Sequence, residues 1–384
     1  MPPISVLIKP ASSKCNLKCE YCFYHDVASS RSVSDFGFMS PETIETIIRK
    51  VLLFASDQAT FSFQGGEPTL CGIDFFRHVV ELQKIFNVNN VKINNCIQTN
   101  GILIDKEWAS FLHEHNFLVG LSLDGPQKLH DRYRVDSKKK GTYERVAQTV
   151  QLFSEYKVDY NILFVVTEAT ARYPDEVYSY FKKRDFRFLQ FIPCIDPNNS
   201  KRGEHEYSLS PLSYTSFLKR FFDNWYADFT GGRQVSIRYF DNLVRIVMGI
   251  RPEMCSLLGS CGCQFVFEAD GSVYPCDFYV TDEWKLGNIR EKELLELSSS
   301  ETCTRFIESS LSVAPKCNGC KWRVLCKGGC RRDREDPYSK KIGQNYYCKS
   351  YYEFLNYAYP RLVNIARNIR QVSLLRTSPV TRVY

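Results

Sequence analysis

Apolar positions along this chain recur at two spacings, and the two alternate. Ile4-Ser5-Val6-Leu7-Ile8-Lys9 is a strand-like run. Phe61-Ser62-Phe63, Val91 to Ile97, Phe117 to Leu123, Tyr160 to Val166 and Phe188 to Ile192 repeat the same short apolar type. Helical spacing falls between them. Ile44, Ile47, Ile48, Val51 and Leu52 mark one face behind Ser40-Pro41, an N-cap with proline at the first helical position. Phe75 to Leu82, Lys106 to Leu112, Glu144 to Phe153 and Val177 to Phe181 continue the helical series. Six strands alternating with helices predict parallel β/α units. Without a doubly wound dinucleotide fingerprint, the α/β architecture expected over residues 1–200 is a partial (β/α)6 TIM-type barrel, its site at the strand C-terminal ends.

The pattern then changes. Asp196 to Gly203 is rich in turn residues and closes the barrel half. Ser210-Pro211 opens a long helix whose Phe217, Leu218, Phe221, Phe222 and Trp225 form a core stripe, and Gly231-Gly232 ends it. Residues 201–254 thus read as a linker with a bridging helix, and 255–350 as a cysteine-rich module. Tyr351 to Ile369 predicts an amphipathic helix covering that module, within 351–370. Residues 371–384 are expected to be a disordered tail, with Thr377 to Tyr384 lacking any periodicity.

Composition narrows the class. Hydrophobic content of 44% with 24% charged residues is that of a folded globular protein, and 384 residues suffice for a barrel plus a second module. The run Ile4 to Ile8 is too short for a signal peptide, and no stretch reaches bilayer length. The 16 cysteines are therefore expected in a reducing cytoplasm, on metal and not in disulfides, with no membrane partner.

The first cysteines carry chemistry. Cys15, Cys19 and Cys22 are spaced C-x3-C-x2-C. Three thiolates hold only three irons of a [4Fe-4S] cube and leave the fourth open to a ligand. A zinc site with His25 as fourth ligand is the alternative, although spacing this tight just after a strand is unusual for a finger. Gln64-Gly65-Gly66-Glu67-Pro68 and Ser122-Leu123-Asp124-Gly125-Pro126 read, taken alone, as turns. Arg132, Arg134 and Lys138-Lys139-Lys140 read as a solvated basic loop.

Eight further candidates, Cys255, Cys261, Cys276, Cys317, Cys320, Cys326, Cys330 and Cys348, saturate two more cubes or build two zinc ribbons. A cube with three thiolates carries about −1 and a fully ligated one about −2, which brings the formal +7 to about +2, so net charge implies no nucleic-acid partner. Cys71, Cys96, Cys194, Cys263 and Cys303 are expected as small buried apolar residues, Cys263 being near enough to Cys261 to compete for iron.

The cysteine loop, with an aromatic before Cys22, resembles the signature of radical S-adenosylmethionine (SAM) enzymes, and Gly65-Gly66-Glu67-Pro68 resembles their GGEP motif. That resemblance implies SAM contacts from Gly66 to the ammonium, Ser122 to the ribose, Arg134 to the carboxylate, and Tyr21 and Ile195 near the adenine. The second half, with Gly271 five residues before Cys276, is similar to the SPASM extension. It implies one auxiliary cluster on Cys255, Cys261, Cys276 and Cys330 and another on Cys317, Cys320, Cys326 and Cys348, three [4Fe-4S] clusters in all with the first.

Pro275-Cys276-Asp277 completes a likeness to anaerobic sulfatase-maturating enzymes, running from Pro2 to about residue 370. By itself Asp277 reads as a turn former. The likeness implies that it accepts a proton while a cluster accepts an electron, as a Cys or Ser of a sulfatase segment of Cys-x-Pro-x-Arg type becomes Cα-formylglycine. It further implies an electron donor such as a flavodoxin or ferredoxin, and a monomer. Two rivals remain: a SPASM enzyme forming thioether or carbon crosslinks in a peptide, and a zinc-stapled binding scaffold without catalysis.

Overall fold

The computed structural model describes residues 3–198 and 200–377. Six parallel strands form its centre: β1 (Ile4–Ile8), β2 (Gln58–Phe63), β3 (Lys92–Thr99), β4 (Leu118–Ser122), β5 (Tyr160–Val166) and β6 (Phe188–Pro193). They lie in chain order in one sheet, as β/α crossovers laid down one after another produce. β6 never meets β1, so the barrel is partial, as the sequence pattern predicts. Alternation sorts the faces. In β2, Ala59, Phe61 and Phe63 are buried toward the helices while Thr60 and Ser62 lie on the other, half-buried face.

Four short strands extend the sheet beyond the predicted six: β7 (Ser236–Ile237), β8 (Val266–Phe267), β9 (Ser272–Tyr274) and β10 (Gly287–Asn288). β7 pairs with β6, and β8 pairs with the free edge of β1. Two- and three-residue strands are too short to show a period of two, which is why the hydrophobic pattern does not reveal them. Their effect is to join the cysteine-rich half to the barrel through β1, the strand that leads into the first cysteine loop.

The helices begin where their caps predict. Ser40 caps Pro41–Phe54 by accepting from the Thr43 amide, and Ser210 caps Pro211–Thr230 by accepting from the Ser213 amide. The segment 201–254 packs into the barrel's own core: Phe221 lies 5.8 Å from Phe164 of β5, and Phe240 5.7 Å from Phe191 of β6, between ring centroids. The C-terminal helix runs Cys348–Thr377, longer at both ends than the pattern indicates. It meets this aromatic layer through Phe354, 5.6 Å from Phe222. Of the tail expected to be disordered, 371–377 has helical backbone and 378–384 lie outside the described residues. Among the described residues no helix is long and apolar enough to cross a membrane.

Candidate active site

The first cysteine loop follows β1 and is held from the side by the turn after β2. The Glu67 amide donates to Lys14 O at 2.8 Å, and Gly66, at φ +55°, lies so close that a Cβ there would sit 2.2 Å from the same oxygen. Only glycine tolerates both the approach and the left-handed backbone. Glu67 is structural. Its buried carboxylate accepts from the Thr69 amide and hydroxyl, the Thr99 hydroxyl and the Asn100 amide. Burial pushes the Cys15 thiol up to about 12 and Cys19 up to about 11. Burial thus keeps these groups as neutral thiols unless a bound metal cation offsets the charge of the thiolates.

Those three thiols line a cavity of about 180 Å³ at the C-terminal ends of the strands, together with Tyr21, Gly66, Ser122, Arg134, Ile195 and Asp277. All residues expected at SAM from the resemblance therefore share one space with the cysteines. Their local bonds add detail. Ser122 Oγ accepts from Gln98 Nε2 at 3.1 Å. Gln98 has room because the facing residue on β4 is Gly120, where a Cβ would lie 2.0 Å from Gln98 Oε1. Arg134 binds Asp124 with two nitrogens, Nε to Oδ2 at 2.9 Å and Nη2 to Oδ1 at 3.2 Å, so the guanidinium plane is set before any ligand arrives. The Tyr21 hydroxyl also donates to Asp124.

On the opposite wall stands the carboxylate that the resemblance marks as the proton acceptor. Asp277, at 7% exposure, accepts from the Tyr24 hydroxyl at 2.6 Å through Oδ2, while Gln64 Nε2 donates to Tyr24 Oη at 2.7 Å. Asp277 Oδ1 is buried with no hydrogen-bond partner. Burial raises the Asp277 carboxyl above the usual carboxylate range, opposed by the charge of Lys9 and by the Tyr24 bond. Lys9 directly follows β1, lies 5.2 Å from the Tyr24 ring centroid, and pairs with Glu268 of the cysteine-rich half at 2.8 Å. Arg31 Nη1 reaches the same Glu268 oxygen at 2.5 Å. Lys9 at 2% and Glu268 at 0% exposure make this a fully desolvated ion triad behind the carboxylate.

The other eight cysteines divide between two cavities. Cys255, Cys261, Cys276 and Cys330 line one of about 80 Å³, which Asp277 also borders. Cys317, Cys320, Cys326 and Cys348 line another of about 650 Å³. Cys330 thus leaves its sequence neighbours and joins the more distant group. Cys263 lines neither cavity and hydrogen-bonds the buried Cys303. Cys194 is buried, whereas Cys71 and Cys96 are half-buried, less enclosed than expected of small core residues.

Comparison with known proteins follows this geometry. The Radical SAM superfamily model matches residues 10–181, and an iron-sulfur cluster-binding domain of SPASM type matches 260–321. A cysteine-type anaerobic sulfatase-maturating enzyme from Clostridium perfringens is 52% identical over 370 residues, 96% of this chain and 100% of the relative. The chain belongs to the anaerobic sulfatase-maturating enzymes. It is a radical SAM enzyme with a SPASM domain, using SAM and iron-sulfur clusters.

Within that family, a serine-type enzyme from Bacteroides thetaiotaomicron is 34% identical over 375 residues, covering 93% of this chain and 90% of its own. A solved structure described as native anSMEcpe with bound AdoMet and Cp18Cys peptide matches at 51% identity with a TM-score of 0.93, covering 96% of this chain and 100% of that one. SuiB of Streptococcus suis, at 18% identity and a TM-score of 0.62, shares the fold.

Sequence reasoning passed over four site residues. Tyr24 lies two residues past the cysteine motif and Gln64 just ahead of the paired glycines, neither with a role, and Lys9 and Asp124 read as a strand end and a turn. Their partners lie far away in the chain, and only a polar residue ending a buried strand, as at Lys9, hints at a function.

Proposed function

We propose that this enzyme oxidises a cysteine of a sulfatase polypeptide to Cα-formylglycine, with Asp277 as the base and Cys15, Cys19 and Cys22 as ligands of the SAM-binding cluster. The observation that carries this reading is the buried Asp277, whose Oδ1 has no hydrogen-bond partner, lining the same 180 Å³ cavity as the three thiols. A cluster on Cys15, Cys19 and Cys22 with bound SAM would supply the means of hydrogen-atom abstraction, and two further [4Fe-4S] clusters would supply an electron sink.

The chain's own residues do the rest. Gly66, Ser122 and Arg134 bind and orient SAM, and Tyr21 and Ile195 flank its adenine. Tyr24 and Gln64 hold Asp277 through Oδ2 so that Oδ1 takes the thiol proton. Cys255, Cys261, Cys276 and Cys330 hold one auxiliary cluster beside that base, and Cys317, Cys320, Cys326 and Cys348 hold the other. A reduced flavodoxin or ferredoxin supplies the starting electron. The enzyme acts as a cytoplasmic monomer on a segment of Cys-x-Pro-x-Arg type.

The test is anaerobic incubation with SAM, dithionite and a peptide carrying that segment, followed by mass analysis of peptide and nucleoside. Formylglycine appearing with 5′-deoxyadenosine supports the reading. Deoxyadenosine with an unchanged peptide, or a crosslinked one, overturns it.

A further inference from the structure

Resting on that reading, we propose that two buried guanidinium groups, those of Arg334 and Arg331, hold fixed positive charge against the auxiliary cluster on Cys255, Cys261, Cys276 and Cys330 and so raise its reduction potential. Both side chains line the space that those four thiols enclose, and Asp277 borders the same space. They act through the cluster and not on the substrate.

Arg334 carries the inference. It is 4% exposed, and its hydrogen bonds go to two backbone carbonyls, Nη1 to Ser312 O at 2.6 Å and Nη2 to Ser310 O at 2.9 Å. Neither bond reaches a carboxylate, and Nε is buried with no hydrogen-bond partner. A guanidinium this dry needs an anion near it, because water no longer solvates its charge. The neighbouring carboxylates are committed elsewhere. Glu335 pairs with Arg331 at 3.3 Å and accepts from the Tyr279 hydroxyl at 2.9 Å, while Asp333 is shared among Arg202, Arg332 and Arg334. A cube ligated by four thiolates would bring about −2 to this space, and its sulfurs would accept the orphaned Nε–H.

Arg331 supplies the second charge from a box of three rings. Its guanidinium carbon lies 4.5 Å from the ring centroid of Phe306, 4.7 Å from that of Trp284 and 4.9 Å from that of Tyr279. Nη1 donates to Phe306 O at 2.9 Å and to Ser309 Oγ at 2.7 Å, so the group is fixed in place. Adding an electron deepens the negative charge of a cluster, and cations held in a low dielectric favour that change more than cations in water do. The quartet beside the proposed base is thereby the easier destination for the electron that leaves the substrate as Asp277 takes its proton.

The test is a redox titration of the cluster-loaded full chain, followed by electron paramagnetic resonance in the absence of peptide. Arg334→Gln is expected to make one cluster's reduction at least about tenfold less favourable, about 59 mV lower for one electron, with iron content unchanged. Arg334→Lys keeps the charge and is expected to stay within about threefold of the wild type. Arg323→Gln removes an exposed guanidinium beside the other quartet, where water screens it, and is expected to move no potential. A role confined to capping the Ser310 and Ser312 carbonyls predicts that Lys and Gln behave alike. No shift in iron-replete Arg334→Gln, an equal shift with Lys, or an equal shift in Arg323→Gln overturns the proposal. Should Arg334→Gln lose iron, Glu335→Gln decides: removing the carboxylate that offsets Arg331 is expected to raise the same potential, and an unmoved or lowered one overturns the proposal. Formylglycine formation is measured alongside. Its absence from the wild type strikes the proposed reaction, whereas the potentials are read without substrate and stand or fall by themselves.

Discussion

Tyr24 and Asp277 lie 253 positions apart in the chain and meet in a 2.6 Å hydrogen bond, phenol to Oδ2. One comes from the helix following the first cysteine loop and the other from the residue after Cys276. The barrel and the cysteine-rich domain therefore build this wall of the cavity together, and neither has it alone.

Replacing Asp277 tests the proposed base apart from assembly. Asp277→Asn is expected to keep full iron content yet lower formylglycine formation at least ~100-fold, the usual scale of a general base. Tyr24→Phe leaves Asp277 Oδ2 with only the 3.4 Å contact to Gln64 and is expected to cost about tenfold. Iron analysis beside peptide mass spectrometry checks both. A fully active Asp277→Asn protein shows that another group is the base.

Gly66 governs the loop, not the acid. Gly66→Ala would drive a Cβ to within 2.2 Å of Lys14 O in a left-handed backbone, and the cysteine loop must move to relieve it. Iron content is expected to fall by about a third, the share of one cube in three, with the auxiliary sites still loaded. Metal analysis of anaerobically purified protein decides this, since unchanged iron would mean that the loop tolerates the shift.

Glu268 tests the buried triad. Its loss in Glu268→Gln leaves Lys9 and Arg31 as desolvated cations facing a neutral amide. Unfolding stability is expected to drop by about 3–5 kcal/mol, the cost of stripping one partner from a buried charge pair. Thermal denaturation shows it as a lowered midpoint. An unchanged midpoint would mean that water reaches the two cations.

His130 imposes a pH limit. Its Nδ1 accepts from the Asp124 amide at 3.3 Å, so Nε2 carries the proton and donates to the Thr142 hydroxyl at 3.0 Å, which in turn donates to Arg134 O. Burial lowers this imidazole from 6.5 to about 4, with Asp124 and Asp131 opposing the shift and Arg134 assisting it. Below 6.5 the unfolded chain gains a proton that the folded one refuses. Stability is therefore intact above that pH and declines as pH falls toward 4, by about 2 kcal/mol between pH 7 and pH 5. The measurement compares denaturation at the two pH values with His130→Gln, whose loss over the same interval is expected to be smaller by that amount.

How much of this site is legible without coordinates depends on where each partner sits. Cys15, Cys19 and Cys22 read at once because a shared cluster forces them within one loop, and Gly66 because a tight turn advertises itself. Lys9 and Asp124 stay hidden. The first looks like the polar end of a strand and the second like a turn residue, until Glu268 is found 2.8 Å from the one and Arg134 2.9 Å from the other.

The sequence by itself determined the six alternating β/α units, their helix caps, and a cysteine supply sufficient for three clusters, because periodicity, capping and ligand spacing are local properties of the chain. Tertiary structure alone decided that β8 would dock on the edge of β1, carrying Glu268 to Lys9 and Asp277 to Tyr24, and that Cys330 would line the cavity of Cys255, Cys261 and Cys276. Such meetings depend on which apolar surfaces bury one another across hundreds of residues, and no spacing along the chain records that.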